Sequence, residues 1–223
     1  QELTSVWNAL TDQLNTLSDS VDRDSDGLAD MGKDLEDRAR TAMSSLGATY
    51  PELSGYYPQP KGLLFPAFLS VQNLSGIYSP FTIEANYNSA MVSYNLPFTI
   101  CHELSHLRGF MQEEEANFIG FLACVSTDDT AFNYSGYLLG WIYATNELYE
   151  TDYDTFEEVY SRLSDNVKAD LSANSSFWNR YDSKVAEVSG QINDHYLKAN
   201  GQSDGVKSYD RMVDLMITWF RSK

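Results

Sequence analysis

The apolar side chains repeat at helical spacing along most of the chain. Between residues 3 and 20 they recur every three or four positions, and a second such segment covers residues 33–46 and ends at Gly47. This period places apolar side chains on one face of a helix. The pattern returns at Glu113 and continues almost to the C-terminus. The helices predicted there span residues 113–126, 134–150, 154–164, 167–183, 184–199 and 205–221.

The middle of the chain has a different texture. Residues 50–88 contain five of the six prolines, together with many aromatic and β-branched residues. Such a composition indicates turns and short strands, which we place near residues 62–71 and 76–88. Helix, small sheet and helix in this order predict an α+β fold that is mostly helical.

A helix is predicted to follow the sheet directly. Asn95 is a good N-cap, Pro97 suits the first turn, and Gly109 is a natural stop. With a length of 223 residues, the chain suits one domain. We divide it into a helical lead-in (1–34), a sheet and motif core (35–130) and a helical part (131–223).

Charge and composition limit the partners. The formal net charge is −17, and such a surface repels nucleic acid and anionic lipid, so we expect neither as a direct partner. No apolar run reaches the length of about 18 residues that a membrane span needs. The chain begins QELTSVWNAL, without Met or a charged leader, so we expect that any targeting segment has been trimmed. Two cysteines, Cys101 and Cys124, are too few for a disulfide framework, and a buried pair of thiols is favoured over a disulfide.

The segment ICHELSHLRGFMQEEEAN, residues 100–117, carries the candidate chemistry. His102 and His106 are four positions apart, which on a helix puts both imidazoles on one face. Two imidazoles so placed can hold one zinc ion, and Glu103 can reach a water at the metal and act as general base. Apolar flanking residues, such as Phe98 and Ile100, favour a buried helix over a solvated one.

A catalytic zinc usually keeps three protein ligands and a water, so a third ligand is needed. In the HExxHxxGxxH template Gly109 fits, but the last position is Gln112, a poor ligand. In the other template a Glu of the following helix binds the metal, and a residue four positions later steadies a histidine. Glu113 with Asn117 fits this template. Within the same run, Glu115 is the alternative ligand and Glu114 the least favoured, and all three also suit a helix N-terminus.

Several stretches resemble a known family. GIYSPFTIEANYN, LPFTICHELSHLRGF, EEEANFIGFLAC and YSGYLL resemble an uncharacterised bacterial family catalogued as a domain of unknown function, and the likeness extends from about residue 35 to GVKSYDRMVDLM. Members of that family typically carry N-terminal membrane-spanning helices followed by a zincin-like domain. The motif is also similar to that of gluzincin-type zinc peptidases such as thermolysin.

This resemblance implies a zincin-like fold in which a small sheet packs on the active-site helix. It implies Glu113 as the third zinc ligand and Asn117 as the residue that steadies a ligand. It further implies a membrane-anchored full-length protein with this domain on the extracytoplasmic side. Only six residues separate His106 from Glu113, far fewer than in thermolysin-like enzymes, which demands a tight turn at residues 109–112.

Three other features complete the sequence picture. DRDSDGLAD, residues 22–30, is similar to a calcium loop, but its twelfth position is Lys33, so a solvated acidic turn is favoured. SPFTIEANYN, residues 79–88, is either a strand bordering a cleft or an ordinary strand. Candidate donors to an oxyanion are Tyr134 and Tyr137, with His195 and Tyr209 as weaker ones.

The sequence therefore predicts a zinc metallopeptidase that acts on a peptide or protein substrate. Two alternatives stay open. One is a catalytically silent zincin-like module for binding or sensing at the cell surface, although a structural zinc site has no use for Glu103. The other is a zinc hydrolase that cleaves a non-peptide amide.

Overall fold

The computed structural model describes residues 2–182 and 209–222, and within them the predicted α+β fold dominated by helix is confirmed. Nine helices are described, together with a short 3₁₀ turn at Pro51–Leu53. The helices are α1 (Glu2–Ser18), α2 (Leu35–Thr49), α3 (Ala67–Val71), α4 (Asn95–His106), α5 (Glu113–Val125), α6 (Thr130–Thr151), α7 (Tyr153–Ser161), α8 (Asp165–Asn179) and α9 (Tyr209–Arg221). The predicted helix at 184–199 and the first residues of 205–221 lie outside the described residues.

The sheet is small, with β3 (Glu84–Tyr87) in its centre. β1 (Lys61–Gly62) pairs with it in parallel, and β2 (Gly76–Ser79) pairs with it antiparallel. The prediction of a single strand over 76–88 is therefore replaced by a hairpin. The prediction of a strand over 62–71 is wrong beyond Gly62, because Pro66 adopts a helical conformation and starts α3.

Helix α4 lies at the centre of the molecule. It packs against α2, α5, α6 and β3, and Ile100 and Leu104 of this helix are completely buried. The inner face of β3 contributes Ala85 and Tyr87 to the same core. The sheet thus packs on α4, and this arrangement fixes the position of the two histidines beneath it.

The predicted helix after the sheet begins at Asn95, but Asn95 is its first helical residue and not its cap. Its side-chain amide donates to the carbonyl of Val92 (3.0 Å) and to Oδ1 of Asn174 (2.9 Å), so it ties α4 to α8. α4 ends at His106, and Gly109 has φ = 92°. That left-handed conformation favours glycine and turns the chain back towards α5.

The acidic loop between α1 and α2 is a self-bonded turn. Oδ1 of Asp24 accepts from the amides of Asp26 and Leu28, both at 2.9 Å, and Gly27 has φ = 77°. The carboxylate is therefore used by the backbone of its own loop. This agrees with the preferred interpretation of a solvated turn.

Two further predictions concern cysteines and membrane spans. Cys101 of α4 and Cys124 of α5 are free and buried, as the thiol interpretation predicts. No helix among residues 2–182 and 209–222 combines the length and the apolar character that crossing a membrane requires.

Candidate metal centre

The two histidines project from the last turns of α4 towards the same point. The Nε2 atoms of His102 and His106 are 3.1 Å apart, and their rings meet edge to face at a centroid distance of 4.7 Å. The spacing of four residues produces this directly, because one turn of helix separates them. Both side chains are nearly enclosed, with 12% and 7% of their surface exposed.

Glu113 completes the group from the first position of α5. One of its carboxylate oxygens, Oε2, lies 3.3 Å from Nε2 of His102, and Oε1 lies 3.8 Å from Nε2 of His106. The ligand atoms of the three residues all lie within 4.8 Å of one another. The short connection between α4 and α5 still lets Glu113 reach the two histidines, because Gly109 allows the chain to reverse its direction sharply.

The neighbouring glutamates have other environments. Glu114 is buried, and its carboxylate pairs with Arg211 of α9 at 2.8 Å. Glu115 is not part of the group of potential ligands found among the described residues. The structure therefore brings Glu113, and neither Glu114 nor Glu115, to the two histidines.

Polar groups flank both rings. Nδ1 of His106 lies 2.7 Å from the carbonyl oxygen of Phe110 and must donate to it, so Nε2 keeps its lone pair for a metal. Asn117, one turn after Glu113 on α5, lies beside His102 and helps to raise the pKa of that imidazole, and its Oδ1 accepts from the hydroxyl of Tyr143 (3.3 Å). Asn117 thus has the position that the sequence predicts for it, beside a ligand.

Glu103 lies beside the group and is only 4% exposed. Its Oε1 is 4.0 Å from Nε2 of His102, and its Oε2 is buried with no hydrogen-bond partner among the described residues. Burial raises the pKa of Glu103 to about 8, although the charge of His102 lowers it. A buried carboxylate without a partner is costly, so this oxygen is available to a ligand or to a water in the site.

The electrostatics of the three candidate ligands are coupled. Burial opposes a charge on His102, but the hydrogen bond with Glu113 outweighs it and raises the pKa of His102 to about 9. Burial and the charge of His102 lower the pKa of His106 to about 4. Burial raises the pKa of Glu113, but the interactions with His102 and His106 outweigh burial, so the pKa of Glu113 lies below its ordinary value. The group therefore accommodates one positive charge next to a neutral imidazole, and a metal cation would replace the proton.

A cavity of about 620 Å³ opens onto the group. One wall is β2 and the segment before it, and the floor is α4 with His102, Glu103 and His106. The opposite wall consists of residues from α6 and α8, among them Tyr143 and Trp178. A site of this size admits several residues of an extended chain or a small molecule.

The structure does not bring the predicted oxyanion donors to this cavity. Tyr134 is completely buried, and its hydroxyl donates to Oδ2 of Asp170 (2.5 Å). Tyr137 packs edge to face on the ring of Phe121, and neither residue lines the cavity. His195 lies outside the described residues, and Tyr209 is described only as the first residue of α9.

Two other tyrosines line the cavity and were missed by the sequence analysis. Tyr143 follows Tyr137 by six positions on α6, and Tyr78 lies on β2 with its ring 6.1 Å from that of His106. Helical periodicity identifies the buried face of α6 but not which residues of that face meet the site. For Tyr78 the alternation of the strand was the usable signal, because Gly76 and Tyr78 share one face.

The correct strand at the cavity edge also differs from the predicted one. Residues 79–88 contain the central strand β3, whereas the strand that borders the cavity is β2. The position of a strand in the sheet depends on its partners, which local sequence does not specify.

The fold and the site define a mostly helical α+β protein with a two-histidine, one-glutamate candidate metal centre. A family model described as "Protein of unknown function (DUF3810)" matches residues 1–217, and the chain belongs to this family. Searches of curated proteins and of solved structures each returned no match. The expectation of an uncharacterised family is thus confirmed.

Proposed function

We propose that this protein is a zinc-dependent metallopeptidase of gluzincin-like type. The observation that carries the proposal is the convergence of His102, His106 and Glu113 beside a buried Glu103, one of whose carboxylate oxygens has no partner in the described part of the chain. A site meant only to hold a structural metal has no need of such a carboxylate. A zincin-like relationship is part of this proposal.

The residues present fit a zinc ion. Two imidazoles and a carboxylate are a common ligand set for catalytic zinc, and it leaves a position open for water or substrate. The bond from His106 to the carbonyl of Phe110 and the contact of Asn117 with His102 resemble the outer hydrogen bonds that orient zinc ligands. Bound there, zinc would act as a Lewis acid towards a carbonyl and a water.

Glu103 supplies the acid–base chemistry in this proposal. It accepts a proton from the attacking water and delivers it to the leaving nitrogen. Its burial and its position beside His102 suit a group that both takes and returns a proton. Tyr78 is the preferred candidate for donating to the oxyanion, because the hydroxyl of Tyr143 already donates to Asn117.

The edge of β2 favours a peptide over another amide. The amide of Asn88 donates to the carbonyl of Ser75 (2.8 Å), and Ile77 pairs opposite Asn86. Because antiparallel ladders alternate, the amide and carbonyl of Gly76 and Tyr78 point away from β3 and towards the cavity side. An extended peptide can add to this edge as a further strand.

Metal content tests the proposal first. Purified protein is expected to hold about one zinc ion per chain, and His102→Ala and Glu113→Gln should lose most of it. Glu115→Gln is the matched control, since it removes a carboxylate of the same helix turn outside the group, and it should keep the metal. Absence of metal in the wild type, even after zinc is supplied, would reject the centre.

Catalysis is tested with Glu103→Gln. This variant should bind zinc like the wild type and lose peptide cleavage by about 10³-fold or more, as expected for removal of a general base in a metal site. Full metal loading of both proteins without cleavage of any peptide would favour the binding-module alternative. Cleavage of non-peptide amides without cleavage of peptides would favour the alternative of a zinc hydrolase that acts on a non-peptide amide.

A membrane-anchored, extracytoplasmic location is a further proposal, which rests on the family resemblance. It predicts that an external protease degrades this domain in intact cells from which the outer barrier has been removed. Protection until the cytoplasmic membrane is lysed would contradict it.

A further inference from the structure

Among the described residues, the walls of the cavity carry no charge apart from the candidate metal centre itself. In its described lining the histidines and carboxylates are His102, Glu103, His106 and Glu113, and no lysine, arginine or additional carboxylate lines it there. This is unusual on a chain with a net charge of −17. The polar groups that remain are amides and hydroxyls, including Asn73, Asn95 and Asn174.

One wall is strongly apolar. Phe98 of α4, Leu139, Ile142 and Tyr143 of α6, and Trp178 of α8 face the cavity on the side opposite β2. The rings of Phe98 and Tyr143 pack against each other with their centroids 5.8 Å apart, and this packing restricts both side chains. A large aliphatic or aromatic side chain is the group that such a wall recognises.

The apolar surface continues out of the cavity along its rim. Ile77 and Met111 line the cavity and are nevertheless 46% and 51% exposed, and Phe81, just beyond Pro80, is 97% exposed. Exposed apolar side chains beside a concave site mark a binding surface. The bound chain therefore has apolar contacts available both inside the cavity and beyond its rim.

We infer that the site acts on internal, uncharged and apolar segments of a polypeptide, and thus as an endopeptidase. A free α-carboxylate bound beside the metal would need a cation, and a free α-amino group would need an additional carboxylate. Burying either charge without a partner is costly. The same cost disfavours Asp, Glu, Lys and Arg next to the cleaved bond, and the acidic surface further repels acidic chains.

This inference rests on the proposed peptidase function, and peptides of equal length test it. The zinc-loaded wild type is given peptides with blocked termini and Leu or Phe on both sides of the central bond. Matched peptides carry Asp or Lys there, and a third set has free termini one residue from the bond. The blocked apolar peptides should be cleaved with kcat/KM higher by about tenfold or more, as the cost of burying an unpaired charge requires. Equal rates, or removal of terminal residues only, would overturn the inference.

A binding measurement separates this inference from the catalytic proposal. Zinc-loaded Glu103→Gln is titrated with fluorescently labelled forms of the same peptides, and anisotropy reports affinity. If no peptide is cleaved by the wild type, the peptidase proposal fails, but tighter binding of the blocked apolar peptides still supports the assigned specificity. Equal binding of charged and apolar peptides contradicts it.

A charge placed in the apolar wall gives an independent test. Ile142→Lys should shift preference towards peptides with Asp next to the cleaved bond, because the new cation pairs with the carboxylate. Leu215→Lys is the control, since Leu215 is a partly exposed apolar residue of α9 that does not line the cavity. An unchanged preference in folded Ile142→Lys, checked by circular dichroism, would count against this wall as the specificity surface.

Discussion

At the residue scale, Gly76 of β2 lies in close contact with Glu103 of α4. A Cβ atom built on Gly76 would lie only 2.3 Å from Oε1 of Glu103. A side chain at this position would therefore displace the carboxylate of Glu103. The absence of a side chain lets the strand lie directly over the candidate general base and hold its carboxylate in place.

Gly76→Ala should displace that carboxylate while leaving the metal ligands in position. We expect kcat for peptide cleavage to fall by about 10²-fold, since displacements near 1 Å have effects of this size, with unchanged zinc content. Gly62→Ala is the control, because its nearest contacts of 3.3 Å to Ser89 and Tyr87 are more easily accommodated. Equal activity of Gly76→Ala and the wild type would show that the position of Glu103 is not limiting.

Asn117 acts on the centre through His102. Asn117→Leu removes the polar acceptor that lies beside this ring, and we expect zinc affinity to fall by about 10- to 100-fold. Asn117→Asp should retain affinity, because a carboxylate accepts the same ring proton. Competition with a chromophoric chelator measures both. Equal loss in the two variants would indicate that the amide group itself, and not a hydrogen-bond acceptor, is needed.

At the scale of elements, Asp129 joins α2 to α6. Its carboxylate accepts from the amides of Ala131 and Phe132 as the N-cap of α6, and it pairs with Arg38 of α2 through two bonds of 2.7 Å. Burial raises the pKa of Asp129, but Arg38 and the backbone amides outweigh it, so the net shift is downward. A carboxyl group with a depressed folded pKa stabilises the protein above its unfolded pKa, and this contribution is lost as the pH falls through the folded value.

Asp129→Asn keeps a side chain that can cap α6 but loses the partly exposed ion pair with Arg38, so it should lower the free energy of unfolding at pH 7 by about 1 kcal/mol. The difference from the wild type should shrink below about pH 4, the ordinary range of an unfolded aspartate. Urea denaturation of the variant and the wild type at pH 7 and below pH 4 measures this difference in the free energy of unfolding. Asp128→Asn, at the exposed neighbouring position, should have little effect at either pH. A difference that persists unchanged at low pH would contradict the electrostatic origin.

A comparison of predicted and observed elements shows which features the local sequence could predict. The fold class and the ligand group were predictable because helical period, a cap and a spacing of four are local signals, and the predicted helix 113–126 matches α5 within one residue. The start of α6 was placed four residues late, because the capping role of Asp129 was not recognised. The predicted strand at 62–71 was wrong because part of this segment forms α3. Tyr134 was predicted as an oxyanion donor, but its hydroxyl donates to Asp170 instead. Both outcomes depend on tertiary neighbours that the local sequence does not specify.

At the scale of the whole molecule, Asp170 connects three distant parts of the chain. It is completely buried on α8, and its carboxylate accepts from Nη1 of Arg23 (3.0 Å), the amide of Ala29 (2.9 Å) and the hydroxyl of Tyr134 (2.5 Å). The N-terminal loop, α6 and α8 meet at this one group. α6 and α8 also contribute to the apolar wall of the cavity. The hydrogen bond between Tyr134 and Asp170 therefore helps to hold that wall in position.

Asp170→Ala should lower the free energy of unfolding by about 3–5 kcal/mol, because it leaves the partly buried guanidinium of Arg23 without its counter-charge and the buried hydroxyl of Tyr134 without its acceptor. Asp165→Asn, at an exposed position of the same helix, should cost well under 1 kcal/mol. Chemical denaturation of the zinc-free proteins isolates folding from metal binding. The centre itself is held by α4 and α5, so Asp170→Ala that remains folded should bind zinc normally and lose preference for apolar peptides. Loss of zinc instead would mean that α8 supports α4, through the bond between Asn174 and Asn95, more than it supports the wall.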